Sequence, residues 1–292
     1  MALPDLVKFV WNHPLNSSGR IAALGRVARW QMASRLVSGP IAVPFVEGTS
    51  LFLSRGMTGA TGNWYVGLHE LPDMAFVLHV LRRGERFLDV GANVGSYTVL
   101  AAGGPGALVT SVEPIPRTFA HLQRNVALNG LSGTVIAWQG GLSDSVGTLR
   151  FTTDLDAVNH VVGEGEREAA IEVAVRTLDD LMGVNVPTLI KIDVEGYERP
   201  VLMGATRTLA DPRLLAVVME TNGSGARYHV ADDELITLMA RNGFAPYTYD
   251  PFERRLLDPV SRGGNTIFVR DAEAAAGRLR TARRYRLVNG EI

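Results

Sequence analysis

The sequence contains no cysteine, and its only lysines are Lys8 and Lys191. The lack of cysteine excludes disulfide bonds, thiolate metal sites and thiol nucleophiles. The net charge is −1, so no overall positive charge would attract nucleic acid. No apolar run is as long as a membrane span, and no basic segment followed by an apolar stretch opens the chain. We therefore predict no integral membrane span, no signal peptide and a cytoplasmic protein.

Hydrophobic residues make up 46% of the 292 residues, which is enough to bury a full core. From residue 86 onward, short apolar runs alternate with helical patterns, and this predicts a sheet with right-handed crossovers. The strands are expected at 86–90, 108–113, 134–139, 187–193, 214–220, 244–249 and 265–269. The helices are expected at 95–102, 116–129, 198–209 and 231–241. The last two strands follow each other without a helix. The sequence therefore predicts an α/β fold with a mostly parallel seven-stranded sheet and an antiparallel last strand.

Three regions are expected: an N-terminal helical and β-hairpin extension over 1–69, a core over 70–270 and a basic helical tail over 271–292. An insert at about 141–180 interrupts the core. It carries an antiparallel strand pair, 147–151 with 171–175.

Within the extension, helices are predicted near 4–12 and 21–37. Ile21, Val27 and Leu36 lie at helical spacing and predict the buried side of the second helix. The opposite side carries arginines, which we interpret as a solvated face in preference to a membrane contact. Strands are expected at 45–47, 50–53 and 63–66, around a flexible loop at 56–62. The glycine-rich segment 55–68 would either fold over the site as a lid or pack into the core, and a helix is expected over 70–81.

A strand-to-helix turn carries the first functional signal. An apolar run ends at Asp89, turn residues follow at Gly91, Asn93 and Gly95, and a helical pattern then begins with Tyr97 in its first turn. Such a loop lets a ligand approach the backbone and the first N–H groups of a helix. The turn residues at i, i+2 and i+4 differ from the GxGxxG spacing of dinucleotide-binding loops. They resemble the S-adenosylmethionine (SAM) loop of Rossmann-like methyltransferases.

A second acid lies about twenty residues further on. Glu113 ends the next expected strand, where a carboxylate accepts hydrogen bonds from ribose hydroxyls in nucleotide-binding folds. The alternative is a carboxylate that caps the following helix. We favour ribose binding because of the preceding glycine loop.

Charged residues alternate along the expected strand at 187–193. Lys191, Asp193 and Glu195 face the same way, and charges on a central strand are costly to bury unless they are paired. Glu220 ends the next strand, beside Asp193 if the two strands are neighbours. The cluster would orient a substrate hydroxyl and take its proton, hold a divalent ion through oxygen ligands, or form an ion-pair network that only fixes the loop. Nothing in the sequence selects a metal, so no metal ligand is assigned.

Three histidines lie at positions that suit a general base, because histidine titrates near neutrality. His160 lies in the insert, His229 lies in the loop after the strand that ends at Glu220, and His69 precedes Glu70. Each has an ordinary structural alternative, as surface residues for the first two and as a helix cap for His69.

Taken together, these motifs are similar to the FkbM family of SAM-dependent methyltransferases. The resemblance rests on the glycine loop, on Glu113-Pro114 with Asn125 and Asn129, on residues 142–144, on the Lys-Ile-Asp-Val-Glu-Gly-Tyr-Glu stretch at 191–198, and on Glu220. It covers about residues 85–245. It implies a Rossmann-like class I methyltransferase fold, SAM as cofactor and O-methylation of a small molecule, sugar or secondary metabolite.

With methyl transfer as the hypothesis, roles can be assigned to individual residues. Asp193 is the first candidate for the proton acceptor, with Lys191, Glu195 and Glu220 as the other catalytic candidates. The residues expected to bind SAM are Glu70, Asp89, Gly91, Asn93, Gly95, Tyr97, Glu113, Pro114, Ser143 and Asp144. The last two are weaker adenine candidates, because Gly140-Gly141 stands where many methyltransferases place a polar residue.

Three alternatives stay open at this point. A nicotinamide-dependent oxidoreductase would use a similar sheet, and a methyltransferase-like domain without catalysis would serve as a binding module. Nucleic-acid methylation ranks low, since no basic patch with interleaved aromatics occurs in the core. The N-terminal helices also offer a surface for a homodimer.

Overall fold

A computed structural model describes residues 3–153, 159–163, 166–259 and 264–292. The strands are β1 (Ile41–Pro44), β2 (Ser50–Leu53), β3 (Arg86–Val90), β4 (Leu108–Glu113), β5 (Val135–Gln139), β6 (Gly141–Leu142), β7 (Gly147–Thr152), β8 (Ala170–Arg176), β9 (Leu189–Ile192), β10 (Ala216–Glu220), β11 (Ala245–Asp250), β12 (Arg255–Leu257), β13 (Asn265–Val269), β14 (Arg286–Leu287) and β15 (Gly290–Glu291). The helices are α1 (Leu3–Asn12), α2 (Arg20–Leu36), α3 (Thr58–Val66), α4 (Leu71–Val80), α5 (Ser96–Gly103), α6 (Pro116–Leu128), α7 (Leu178–Met182), α8 (Glu198–Met203), α9 (Thr206–Ala210), α10 (Asp232–Arg241) and α11 (Ala272–Thr281).

The central sheet has the strand order β12-β11-β13-β10-β9-β3-β4-β5. Strands β5, β4, β3, β9 and β10 are parallel, and β13 runs antiparallel to both β10 and β11. This confirms the predicted α/β fold and its antiparallel last strand. The structure adds an eighth strand, β12, which pairs with β11 over three residues at the edge of the sheet. It was not predicted because it contains no apolar run of strand length.

Successive residues of the central strands pack into different hydrophobic layers. Phe87 and Leu189 belong to one buried cluster, together with residues of α4 and α5. Their neighbours Leu88 and Ile190 belong to a second cluster, with residues of α8 and α10. Because alternate side chains of a strand point to opposite faces, both faces of the sheet are covered. Double coverage explains why these strands are continuous apolar runs.

The N-terminal extension differs from its prediction. Helix α3 occupies most of the segment where a loop at 56–62 and a strand at 63–66 were expected. The strand expected at 45–47 lies earlier in the chain, as β1, and pairs with β2 in a hairpin. Tertiary contacts hold this glycine-containing helix, since Arg26 donates hydrogen bonds to the carbonyl oxygen of its residue Tyr65, the nearer at 2.8 Å. Tyr65 is buried in the core, which agrees with the core-packing alternative for this aromatic residue.

Helix α2 orients its side chains differently from the predicted arrangement. Val27 is buried, as expected for the inner side, and Trp30, which the periodicity did not single out, is buried as well. Ile21 and Leu36, expected on the same buried side, are 83% and 85% exposed. Arg26, expected on the solvated side, is buried against α3. Apolar residues lie on two opposite sides of the helix, so periodicity alone did not identify the buried side.

The remaining elements lie close to their predictions. The insert forms a three-stranded sheet, β6-β8-β7, with the expected antiparallel pairing of β7 and β8. The helix predicted over 198–209 is divided into α8 and α9 at Gly204, where an added Cβ would lie 2.1 Å from the Ser143 carbonyl oxygen. The C-terminal helix ends at Thr281, and the hairpin of β14 and β15 follows it. Within the described ranges, every helix is too short or too polar to cross a bilayer.

Candidate active site

The carboxyl ends of β3, β4, β9 and β10 meet at one edge of the sheet, and a cavity of about 310 Å³ opens there. Open α/β sheets bind their ligands at this edge. Eleven of the fourteen residues predicted to bind SAM or to act in catalysis line the cavity: Glu70, Asp89, Gly91, Asn93, Tyr97, Glu113, Pro114, Lys191, Asp193, Glu195 and Glu220. The fold thus brings the glycine loop and the charged cluster into a single site.

The glycine loop needs its unusual residues. Gly91 has φ +75°, and a Cβ at this position would lie only 1.8 Å from the Asp193 carbonyl oxygen. Asn93 adopts φ +50°, a conformation that asparagine tolerates better than most residues. Gly95 has φ +89° and precedes the first residue of α5, facing Leu122 and outside the cavity lining. The loop therefore passes directly beside the β9 chain that carries the charged cluster.

Glu113 is a buried acid that contacts the glycine loop. Its Oε2 accepts a hydrogen bond from the Asn93 N–H, and its Oε1 accepts one from the Ile115 N–H, both at 2.9 Å. Burial raises the pKa of Glu113 to about 7, against the opposing effect of these hydrogen bonds. The carboxylate thus ties the loop to the end of β4, and each oxygen retains a further lone pair for a ligand hydroxyl.

Two further acids surround the start of α5. Asp89 is buried at the end of β3 and accepts a 2.6 Å hydrogen bond from the Thr98 hydroxyl. Burial raises its pKa to about 6. Glu70 lies just before α4 and accepts a 2.7 Å hydrogen bond from the Tyr97 hydroxyl. This part of the cavity therefore offers carboxylates to a cationic group.

Lys191 lies between the residues around the start of α5 and the carboxylates that follow β9. Its side chain is only 2% exposed, and its Nζ donates to Asp193 Oδ2 at 2.7 Å. The same ammonium lies 4.9 Å from the centre of the Tyr97 ring, a cation–π distance. Lys191 is also the direct register partner of Asp89 across β3 and β9. Despite burial, the nearby carboxylates raise its pKa above the ordinary lysine value, so the side chain stays positively charged.

Asp193, Glu195 and Glu220 bring carboxylate oxygens within 4.8 Å of one another. Burial, followed by repulsion from Asp193, raises the pKa of Glu195 to about 7 and that of Glu220 to about 8. Glu220 Oε1 accepts a hydrogen bond from Asn222 at 2.6 Å, whereas Oε2 is buried without a partner among the described residues. This arrangement suits hydrogen bonds to hydroxyl groups or, through oxygen ligands, a divalent cation.

The turn that presents these acids is held from two sides. Glu195 has φ +54°, in the left-handed region. Glu198 is 1% exposed, and its Oε1 accepts hydrogen bonds from the N–H groups of Val194 and Gly196. Arg227 donates to the Glu195 carbonyl oxygen at 2.8 Å. Glu198 belongs to the motif at 191–198, but its role in the turn and that of Arg227 were not predicted, because hydrogen bonds to backbone groups leave no periodic signal.

Other predicted residues lie elsewhere. Ser143 and Asp144 are outside the described lining of the cavity, and Ser143 Oγ lies 3.3 Å from the Tyr197 hydroxyl. His160 Nε2 lies 3.1 Å from Glu166 Oε2, and His229 is an exposed loop residue. Among the three candidate histidines, only His69 contributes to the described cavity wall.

Two further residues of the cavity wall were not predicted as site residues. Asn63 of α3 and Asn159 of the insert line the cavity. The Asn63 side chain accepts a 2.8 Å hydrogen bond from the His69 N–H. Gly62 allows the His69 ring to approach, since a Cβ at residue 62 would lie 2.2 Å from its Nδ1. These residues reach the site from segments outside the central sheet, and only the tertiary structure places them there.

Known proteins are similar to this chain over the region that contains most of the site residues. The family model described as the methyltransferase FkbM domain matches residues 89–246, more than half of the chain. Hexuronic acid methyltransferase AglP of Haloferax volcanii is 34% identical over 134 residues, which cover 44% of this chain and 53% of that protein. The chain therefore spans about half the length of this relative. The 31-O-demethyl-FK506 methyltransferase FkbM of Streptomyces tacrolimicus is 30% identical over 200 residues, covering 56% of this chain and 74% of that protein.

A solved structure of a SAM-dependent methyltransferase from Agrobacterium tumefaciens is also similar. Its TM-score is 0.45 and its identity 10%, over 80% of this chain and 72% of that chain. The family assignment rests on the match over residues 89–246. This chain belongs to the FkbM family of methyltransferases.

Proposed function

We propose that this protein is a SAM-dependent O-methyltransferase that methylates a hydroxyl group of a small molecule, sugar or secondary metabolite. One observation supports the proposal above all: a single cavity is lined both by the glycine loop with Glu113 and by the carboxylates of Asp193, Glu195 and Glu220. One half suits a nucleoside and the other suits hydroxyl groups. A methyl donor and an acceptor would therefore meet in the same cavity.

The first half fits SAM by the chemistry of its donors and acceptors. Glu113 would accept hydrogen bonds from the ribose hydroxyls, and the glycine loop with the start of α5 would hold the amino-acid end. Asp89 or Glu70 would pair with the ammonium group. SAM supplies a methyl group that is already activated by the sulfonium. The remaining task of the chain is to align the acceptor, and such positioning contributes roughly 7–11 kcal/mol in well-oriented reactions.

In the second half, Asp193 is the proposed proton acceptor for the substrate hydroxyl. Lys191 holds the Asp193 carboxylate in place through the 2.7 Å contact. Glu195 and Glu220 would accept hydrogen bonds from neighbouring hydroxyls and orient the reacting oxygen. General-base assistance of this kind contributes about 10²–10⁴-fold in rate. Two relatives support the acceptor class, since one is named for a hexuronic acid and the other for demethyl-FK506.

Calorimetry and product analysis test the proposal. We expect purified protein to bind SAM and its demethylated product in preference to NAD, and to transfer label from methyl-labelled SAM to a hydroxyl acceptor. Asp193→Asn should bind SAM as the wild type does and lose about 10²–10⁴-fold in transfer rate. Glu253→Gln, at an exposed residue outside the cavity lining, should change neither SAM binding nor the transfer rate.

Two results would contradict this function. Binding of NAD without affinity for SAM would favour the oxidoreductase alternative. Binding of SAM without transfer to any hydroxyl acceptor would favour a non-catalytic module. A cytoplasmic location and a homodimer stay predictions of the sequence.

A further inference from the structure

The first two helices expose an unusual amount of apolar surface. Fourteen large hydrophobic side chains of the described residues are exposed, and seven of them lie within residues 3–37. They are Leu3, Val7, Trp11, Ile21, Met32, Leu36 and Val37. Single exposed hydrophobic residues are normal, but a concentration of them marks an interaction surface. About an eighth of the chain thus carries half of its exposed hydrophobic residues.

Helix α2 is apolar on two opposite sides. Its inner side packs Val27 and Trp30 into the core. On its outer side, Ile21, Met32 and Leu36 fall on one stripe, because positions 11 and 15 residues apart lie within about 60° of each other at 100° per residue. An exposed apolar stripe opposite a buried side ordinarily marks a contact surface. We therefore expect the outer stripe of α2 to contact a partner.

Arginines border this stripe. Arg29 and Arg35 are both exposed, and helical spacing places one on each side of the line from Ile21 to Leu36. An apolar stripe with cationic borders is the pattern of a helix that lies in the plane of a membrane interface. The guanidinium groups would reach lipid phosphates while the aliphatic side chains enter the acyl region.

Helix α1 extends the same pattern. Leu3, Val7 and Trp11 recur every four residues and form its exposed stripe, with the exposed Lys8 beside it. The guanidinium of Arg20, at the start of α2, lies 5.4 Å from the centre of the Trp11 ring and joins the two helices. Tryptophan is enriched at membrane interfaces, where its ring contacts both apolar and polar layers.

We propose that the outer faces of α1 and α2 dock onto the surface of a lipid bilayer that contains anionic lipids. The first 37 residues carry five cationic side chains and one acidic side chain, whereas the whole chain has a net charge of −1. Arg26 is buried against α3, and the other four cationic side chains, Lys8, Arg20, Arg29 and Arg35, are exposed on the same two helices as the apolar stripes. Aliphatic side chains such as Ile21 and Leu36 give no advantage for nucleic-acid binding. A second copy of the chain would bring arginines against arginines, so charge complementarity favours an anionic membrane.

The docking surface is adjacent to the cavity. Helix α2 packs against α3, and α3 contributes Asn63 to the cavity wall. The ring of Phe9 in α1 contacts the ring of His69, another wall residue, at 5.4 Å between centroids. Docking would thus bring the wall of the cavity close to the bilayer, with the helices lying on the membrane.

Vesicle co-sedimentation of the full chain tests this proposal. Wild type should bind vesicles of phosphatidylcholine with phosphatidylglycerol, bind phosphatidylcholine alone more weakly, and dissociate as salt is raised. The double variant Ile21→Ser, Leu36→Ser should bind roughly tenfold or more weakly, because two aliphatic side chains no longer enter the acyl region. Both side chains are exposed, so its thermal midpoint should match that of the wild type.

Val184→Ser is the matched control, since Val184 is 83% exposed in a different part of the chain and should leave binding unchanged. Wild type that binds neither vesicle, that binds both equally, or that binds as well with the double substitution would overturn the proposal. Sedimentation of the free protein as a dimer that the double variant dissociates would assign the surface to a second copy. SAM affinity should be unaffected in every case, because neither substituted residue lines the cavity.

Discussion

Lys191 is the residue whose replacement tests the electrostatics of the site most directly. Its buried ammonium lies 2.7 Å from Asp193 Oδ2 and is the cation among the six acids that line the cavity. Lys191→Met retains a long side chain and removes the charge. The chain provides its own control, because the other lysine, Lys8, is exposed on α1.

Removing one partner of a buried ion pair costs about 3–5 kcal/mol, since the other charge is left uncompensated. The Asp193 side chain is 30% exposed, so water compensates part of its charge and we expect the lower end, about 3 kcal/mol. The loss should depend on pH. Below their pKa values of about 7 and about 8, Glu195 and Glu220 are mostly protonated, and above them both are charged and repel Asp193. Loss of the ammonium is therefore more costly at high pH.

Urea unfolding at about pH 6 and about pH 8.5 measures this effect. The wild type itself should lose stability across this range, because carboxyls with raised pKa values hold protons that the unfolded chain has already released. Lys191→Met should widen the difference, and Lys8→Met should leave it unchanged. An equal loss at both pH values, or a loss no greater than that of Lys8→Met, would refute the electrostatic reasoning.

Three further predictions concern the reaction and the loop. The transfer rate should rise with pH between about 7 and about 8, as Glu195 and Glu220 lose their protons, and Glu220→Gln should move the rise to lower pH; a flat profile would contradict this. Transfer should persist in a chelator, because a lysine ammonium already neutralises Asp193; loss of activity that Mg²⁺ restores would assign the three carboxylates to a metal. Gly91→Ala should abolish SAM binding measured by calorimetry and lower the thermal midpoint, because its Cβ would collide with the Asp193 carbonyl. Gly84→Ala, at a similar φ but with open space around it, should affect only the midpoint; equal SAM binding by both variants would contradict the role of close contact.

Local signals predicted the core of this protein well. The strand, the glycine turn and the helix that follow one another from Asp89 to Tyr97 depend on residues close in sequence. The order of apolar runs and helical patterns likewise predicted the mostly parallel sheet and its antiparallel last strand. These features are readable because strand burial and turn conformation restrict each position separately.

Long-range contacts account for the differences. The segment that contains Gly62 lacks helical periodicity, yet it folds as α3 because α2 and the His69 ring pack against it. The exposure of Ile21 and Leu36 could not be predicted, since α2 carries apolar residues on two opposite sides and only packing decides which side is buried. Glu198 and Arg227 act on backbone groups, which any sequence provides.

By itself, the sequence determined the fold class, the glycine loop, the acids at the strand ends and the family resemblance. Only the tertiary structure decided that β9 lies between β3 and β10, so that Lys191 is shared by Asp89 and Asp193 and lies near Glu220. The physical reason is that a strand's own residues specify which faces are buried, whereas its neighbours are selected by the packing of the whole chain.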